Sequence, residues 1–269
     1  MEGVNNKANI DFKDDLRQAL IVFKYEIMKL FSGKKILIFG IINVLILALL
    51  TALIFIFDID GSALGIPNDI FCIELYLSVS SYLMLFGATL FSAGTLVSEF
   101  EERTSLLLFT KPIRKISIFL GKMSAAYVLN LLFLIFYYVV TAVAISLKFG
   151  TFTTDLLVSV GYCAVYIFSL TGIALLFSSL MKKSSSASIL TFLFILLVPS
   201  IVGIAIQLIT ISSGGDAPDL WYILNSASQS VAACLEGPVE NGPRDAFVMF
   251  TWGFVPTVAA YFLFRRREV

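Results

Sequence analysis

SEFEERTSLLLFTKPIRKISIFLGK, Ser98 to Lys122, is a charged segment held between two long apolar ones, and the rest of the chain is read outward from it. Ser98 followed three residues later by Glu101 has the pattern of a capping box. Glu99, Glu101 and Glu102 fall in a first helical turn, where the helix dipole favours negative charge. The pattern predicts a short helix from Ser98 to about Thr110. Pro112 ends it, because proline has no amide hydrogen and biases Lys111 away from helical geometry. That helix carries Leu106, Leu107, Leu108 and Phe109 and leads into the basic corner Arg114, Lys115. Such an element suits a cytoplasmic membrane surface, and the acids alone read equally as a dipole-stabilised cap on a solvated helix.

Hydrophobic residues make up 58% of the 269 and mean hydropathy is +0.93, whereas soluble domains run at roughly 45 to 50% apolar. The chain is therefore read as an all-α polytopic membrane protein. A bilayer core about 30 Å thick takes about 20 apolar residues per helix. Six runs qualify, near residues 36 to 57, 70 to 97, 117 to 147, 155 to 181, 187 to 212 and 246 to 264. The first begins after mostly polar or amphipathic sequence and is too long for the h-region of a signal peptide, so none is expected.

Orientation follows from lysine and arginine in short loops. Lys7, Lys13, Arg17, Lys24, Lys29, Lys34 and Lys35 precede span one; Arg103, Lys111, Arg114, Lys115 and Lys122 follow span two; Lys182 and Lys183 follow span four; Arg265, Arg266 and Arg267 follow span six. All fall on one side. Only Lys148 and Arg244 of the 19 basic residues fall on the other, with Asp58, Asp60, Asp69, Asp155, Asp216, Asp219, Glu236, Glu240 and Asp245. Both termini are expected in the cytoplasm and the chain in the plasma membrane.

Before span one, Phe12, Leu16, Leu20, Phe23, Ile27 and Leu30 recur at spacings of four and three, an apolar stripe with Lys13, Arg17, Lys24 and Lys29 on its flanks and polar face. This predicts an amphipathic helix from about Asp11 to Phe31 lying in the membrane interface; a soluble helix packed on a partner is the alternative. Small residues of span two, among them Gly87, Ala88, Ser92 and Gly94, suit close helix packing. Glu74 is the one carboxylate placed within a span and Gln207 lies in span five; both are candidate pathway residues, although a solvated helix end accounts for the first and an interhelical hydrogen bond for the second. Asn43 in span one reads likewise as an interhelical hydrogen bond. Phe133, Phe136, Tyr137 and Tyr138 of span three suit packing or an apolar path, with packing favoured. Lys182 and Lys183 leave only a tight turn between spans four and five, which must be antiparallel neighbours. Pro199 and Pro256 are expected to kink spans five and six. Between them, Leu220, Trp221, Tyr222, Leu224, Ala227, Val231, Ala232 and Leu235 give a helical apolar pattern in an external excursion, residues 213 to 245; a surface loop anchored by Trp221 is the alternative.

Much chemistry is excluded. No G-x-x-x-x-G-K-[ST] phosphate loop and no G-x-S-x-G elbow is present, and there is no histidine. Cys72, Cys163 and Cys234 form no C-x-x-C and are expected as isolated thiols. The chain is not expected to be an enzyme, to hold a metal or cofactor of its own, or to bind nucleic acid.

From Ser98 to Lys122 the chain resembles the permeases of ABC transporters of the type-2 exporter class. The resemblance rests on Glu99, Glu101, Glu102, Thr104, Leu107, Leu108, Pro112, Ile113, Lys115, Gly121 and Lys122, in order and spacing. Arg103, where a glycine commonly stands, and Leu106, where an acid often does, depart from the pattern. The resemblance implies a tail and interfacial helix (1–35), a six-span domain (36–269), a coupling segment (98–116) and a short external helix before span six. It implies a separate ATP-binding subunit, which binds ATP and Mg, docking on Glu99, Glu101, Glu102, Arg103, Thr104, Leu107, Leu108, Pro112, Arg114 and Lys115. A second permease copy and export of a substrate complete that expectation. An ion-coupled secondary transporter and a non-transporting membrane scaffold are the competing classes.

Overall fold

The computed structural model describes residues 2–57, 67–101, 114–150, 154–212, 220–235, 237 and 239–266, with side chains from Asp15 onward except at Glu99 and Phe100. Helix α1 (Glu2–Ser32) is joined to α2 (Lys34–Ile56) by Gly33, whose extended backbone breaks the helical run. Helix α3 (Asn68–Gly87) runs into a π-helical turn (Ala88–Ser92) and then, after a short turn, into α4 (Val97–Glu101). There follow α5 (Lys115–Phe149), α6 (Asp155–Leu180), α7 (Ser184–Ser212), the short α8 (Leu224–Ser228) and α9 (Ser230–Ala233), and α10 (Gly242–Arg266).

Six helices among the described residues are long and apolar enough to cross a membrane, and they match the six runs read from the sequence. The protein is an all-α polytopic membrane protein. Helix α6 is its centre, with 56% of its apolar window buried, while α2 and α7 stand at the periphery with 17% each. The most extensive contact is between α6 and α10. Its cause is a close backbone approach: a Cβ at Gly172 would lie 2.2 Å from the Gly253 carbonyl oxygen and 2.8 Å from Thr257 Oγ1. Only glycine admits that distance.

The core packs Leu47 and Ile54 of α2, Tyr76 and Leu77 of α3, Tyr137 and Tyr138 of α5, and Ile167 of α6 into one cluster. Polar groups within it are paired between helices. Tyr137 donates to Asn43 Oδ1 at 2.5 Å, the Tyr138 and Ser159 hydroxyls lie 2.7 Å apart, and those of Thr51 and Tyr76 also 2.7 Å. Asn43 is thus an interhelical hydrogen-bonding residue, as expected. The aromatics of α5 are packing residues: Tyr137 and Tyr138 are buried, and Phe133 meets Phe39 edge-on at 4.9 Å. Phe136 is partly exposed.

Helices α6 and α7 are packed neighbours across the Lys182–Lys183 turn. Pro199 and Pro256 lie inside α7 and α10. The segment expected as an external excursion contains two short helices among its described residues. Leu220, Leu224, Ala227, Val231 and Leu235 are buried, whereas Trp221 and Tyr222 are exposed. Ser159 of α6 donates to the Val231 carbonyl at 2.6 Å and Ser230 to Asp245 Oδ2 at 2.6 Å, which ties α9 to the bundle. Cys72, Cys163 and Cys234 are buried free thiols, and burial pushes the Cys234 thiol up.

Replacing Gly172 by alanine is expected to lower the thermal midpoint of the purified protein, since overpacking costs about 1–3 kcal/mol. Gly161→Ala, on the same helix with open space around it, is the control and leaves the midpoint unchanged or raises it in the same melting experiment.

Candidate functional site

The segment expected to couple, residues 98–116, leaves the bundle at α4 and returns at Arg114. Both roots are described; residues 102–113, which include Glu102, Arg103, Thr104, Leu107, Leu108 and Pro112, lie outside the described residues. At the outgoing root, α3 ends in the π-helical turn, where Asn130 of α5 donates to Ser92 Oγ at 3.3 Å and Thr95 Oγ1 donates back to the Phe91 carbonyl at 2.5 Å. A helix start leaves backbone N–H groups without partners. Here a neighbour supplies one: the buried Ser178 hydroxyl of α6 accepts from Leu96 N–H at 3.0 Å and Val97 N–H at 3.1 Å.

Ser98 therefore does not act as the expected N-cap. Helix α4 already begins at Val97, the Ser98 amide donates to the Gly94 carbonyl at 3.0 Å, and its hydroxyl lies 3.4 Å from the Thr95 carbonyl. The capping-box reading fails because the chain arrives from a preceding helical turn, so Ser98 is inside the helix. Glu101, expected to face a docked subunit, is exposed, and its side chain reaches a neighbouring helix. Its Oε2 accepts from the Ser184 N–H at 2.9 Å and so caps the first turn of α7, 83 residues away in sequence. Gly94 makes room for that junction, because a Cβ there would lie 2.7 Å from Ser184 Oγ.

At the returning root, Arg114 pairs with Asp15 of α1 at 2.8 Å, and Lys115 Nζ donates to the Arg265 carbonyl at the end of α10 at 3.2 Å. Two turns further on, Lys122 and Glu26 of α1 form a buried ion pair at 2.8 Å; Lys122 is 2% exposed. Burying two charges is costly unless they face each other, so the pair fixes where α1 crosses α5. Gly121 permits the crossing: a Cβ there would lie 2.8 Å from both the Ala19 carbonyl oxygen and Val22 Cβ. The face of α1 that packs is thus Ala19, Val22 and Glu26. Leu16 and Leu20 of its apolar stripe stay exposed, whereas Phe23, Ile27 and Leu30 are partly covered.

Glu99 is placed in α4 by its backbone. Gln207 lines a cavity of about 240 Å³ beside Pro199, with Ser200, Leu220 and Asn225, where Asn225 donates to Ser200 Oγ at 3.1 Å. Glu74 lies half-buried near the start of α3 and does not line that cavity. The two candidate pathway residues are not brought together there. Ser178, Ser184, Asp15 and Glu26 were not anticipated. A serine at a helix end or an acid on an amphipathic helix carries no local signal of its distant partner. No group of three or more metal-ligating side chains occurs among the described residues.

A comparison with protein families matches residues 73–228, more than half of the chain, to the family described as ABC-2 family transporter protein. The chain belongs to the ABC-2 transporter family. It is a multi-pass membrane permease of an ABC transporter. The matched part of this permease runs from within α3 through α8 and includes all of residues 98–116; α1, α2, α9 and α10 fall outside it. A comparison with curated proteins found no match.

Lys122→Met in the permease is expected to cost about 3–5 kcal/mol by leaving Glu26 buried without a partner. The double variant Glu26→Leu with Lys122→Met recovers much of that loss. Thermal melting of the two purified variants beside the parent checks both statements.

Proposed function

We propose that this permease is driven by a separate ATP-binding subunit docked on residues 98–116. The observation that carries the reading is that both roots of the segment are tied to four other elements. Glu101 holds the start of α7, Ser178 of α6 holds the start of α4, Arg114 holds α1 and Lys115 holds the end of α10. A pull on the segment would therefore be felt by the bundle at several helix ends at once. A solvated surface loop would have no need of such anchorage.

In this reading Leu107 and Leu108 enter a groove on the ATPase subunit, with Glu99, Glu102, Arg103, Thr104 and Pro112 shaping the contact. Glu101, Arg114 and Lys115 belong to the same contact and also pass the motion inward through their bonds to α7, α1 and α10. ATP and Mg are bound by the partner, and this chain carries no catalytic group or cofactor. Two permease copies pair, with the weakly covered faces of α2 and α7 available to each other and to lipid. The chain sits in the plasma membrane. The contacts of Asp15 with Arg114 and of Lys115 with the Arg265 carbonyl gather α1, the coupling segment and the end of α10 on one side. The concentration of basic residues there assigns that side to the cytoplasm. Export is the direction that the resemblance supports.

Extraction of the complex in mild detergent is expected to yield a stoichiometric ATP-binding subunit with ATPase activity. Leu107→Asp with Leu108→Asp places charges in the proposed contact, where such changes cost about 2 kcal/mol or more, and weakens subunit attachment by roughly thirtyfold. Retention of the subunit at parental affinity would remove the docking assignment.

Glu101→Ala is expected to leave the subunit bound, to speed hydrogen exchange at the first amides of α7, and to lower transport per ATP hydrolysed. Glu101→Gln keeps an acceptor oxygen and recovers part of both. Exchange mass spectrometry and a transport assay on the same complexes check the pair.

A further inference from the structure

A cavity of about 460 Å³ lies between the α1–α2 elbow and the outgoing root of the coupling segment. Lys29, Lys34 and Lys35 line it on the elbow side, and Leu30, Leu90 and Phe91 give it apolar walls. Thr95, Ser98 and Ser184 of the coupling root close the far side. The described lining contains one acid, Glu26, whose carboxylate is held by Lys122 at 2.8 Å. Positive charge is therefore in excess in the described lining.

The placement of Lys34 and Lys35 sharpens the point. They open a 23-residue helix that has no acid in its first turn and no side-chain cap at Gly33. Basic side chains there add to the positive end of the helix dipole, the reverse of the usual arrangement. An anion at this position would offset both. It would also stand at a defined depth, because Lys34 begins a span of mean hydropathy 2.8 and so marks the boundary between hydrocarbon and headgroups. The exposed Met28 and Phe31 on α1 provide an apolar surface beside the elbow.

We propose that this cavity binds an anionic diacyl phospholipid, with Lys34 and Lys35 holding the headgroup phosphate and Leu30, Leu90 and Phe91 receiving the glycerol and first methylenes. The inference rests on the orientation proposed above, which sets the elbow in the cytoplasmic leaflet, where anionic lipids meet basic segments. A small soluble anion has no use for the apolar walls, whereas a lipid presents phosphate and methylenes together. The volume lies within the range of small-molecule sites, roughly 300–1,000 Å³. A headgroup seated there touches the elbow on one side and Thr95, Ser98 and Ser184 on the other, so it bridges α2 to the coupling root.

The test is native mass spectrometry of the delipidated full-length chain, titrated with phosphatidylglycerol, phosphatidylcholine or inorganic phosphate. Preferential binding of one phosphatidylglycerol is expected. Lys34→Gln with Lys35→Gln should weaken it about thirtyfold, from two lysine contributions near a membrane surface. Lys34→Arg with Lys35→Arg should retain it, and Lys182→Gln with Lys183→Gln, outside the cavity, should leave it unchanged. Equal binding of phosphatidylcholine, an unaffected Lys34→Gln, Lys35→Gln variant, equal loss in the Lys182, Lys183 control, or displacement by an equal concentration of inorganic phosphate would each overturn the proposal. Displacement by phosphate would identify a soluble-anion site instead.

A photoreactive phosphatidylglycerol on the parental chain keeps the test independent of variant folding. Adducts on the peptides containing Leu30 or Leu90 and Phe91 support the site, and adducts confined to segments outside the cavity refute it. Binding is read on the chain alone, so a failure here leaves the ATP-coupling result intact, and a failure of ATP coupling leaves the lipid result standing.

Discussion

A polar group inside hydrocarbon has no water to turn to, and much of the architecture follows from partners supplied within the protein, although the buried Ser80, Thr171 and Thr257 hydroxyls have none among the described residues. Helices satisfy their own backbone. The places where the helical run changes need a neighbour, and the most consequential is the root of the coupling segment. There the chain leaves α3 through a π-helical turn and restarts as α4, and the freed amides of Leu96 and Val97 are received by Ser178 of α6. Without that acceptor the interruption would be costly, since each unpaired buried amide loses about 1–3 kcal/mol. Ser178 thus allows a helix break at the point where the segment must depart from the bundle.

The same rule governs charge. Lys122 lies within the apolar bundle because Glu26 reaches it from α1, and α1 reaches it because Gly121 lets the backbones approach. The amphipathic helix is consequently part of the fold. It has three surfaces: a narrow face of Ala19, Val22 and Glu26 against α5, an apolar stripe exposed at Leu16 and Leu20 but partly covered at Phe23, Ile27 and Leu30, and a basic flank. One helix can then be anchored to the bundle and remain in contact with lipid.

How the chain could respond to force also follows from helix ends. Glu101 sits on the first turn of α7 and Lys115 on the last turn of α10, where the backbone groups unsatisfied within each helix are found. Bonds at helix termini restrain a helix without crossing its packed face, so the faces of α6 and α10 can stay closely packed while their ends are held. The centre is rigid for the same reason that Gly172 is glycine: the backbones of α6 and α10 touch. The lightly covered α2 and α7 are left to lipid and to the proposed second copy.

Much of this was legible in sequence because it depends on local quantities. Span number and position come from runs of apolar residues, and the helix before span one from the spacing of Phe12 to Leu30. The helical pattern around Leu224 and Val231 and the interhelical role of Asn43 were legible on the same grounds. The resemblance around Ser98 to Lys122 pointed to the family that residues 73–228 then established. Tertiary structure decided the partners. Ser98 and Glu101 have the spacing of a capping box, yet the residue that Glu101 caps is Ser184, and the residue that receives the α4 amides is Ser178. Hydrophobic periodicity is set by neighbours three or four positions away, so it is written in a short window. A carboxylate that faces an amide 83 residues away leaves no mark in any window, because that meeting is created by the packing of α3, α6 and α7.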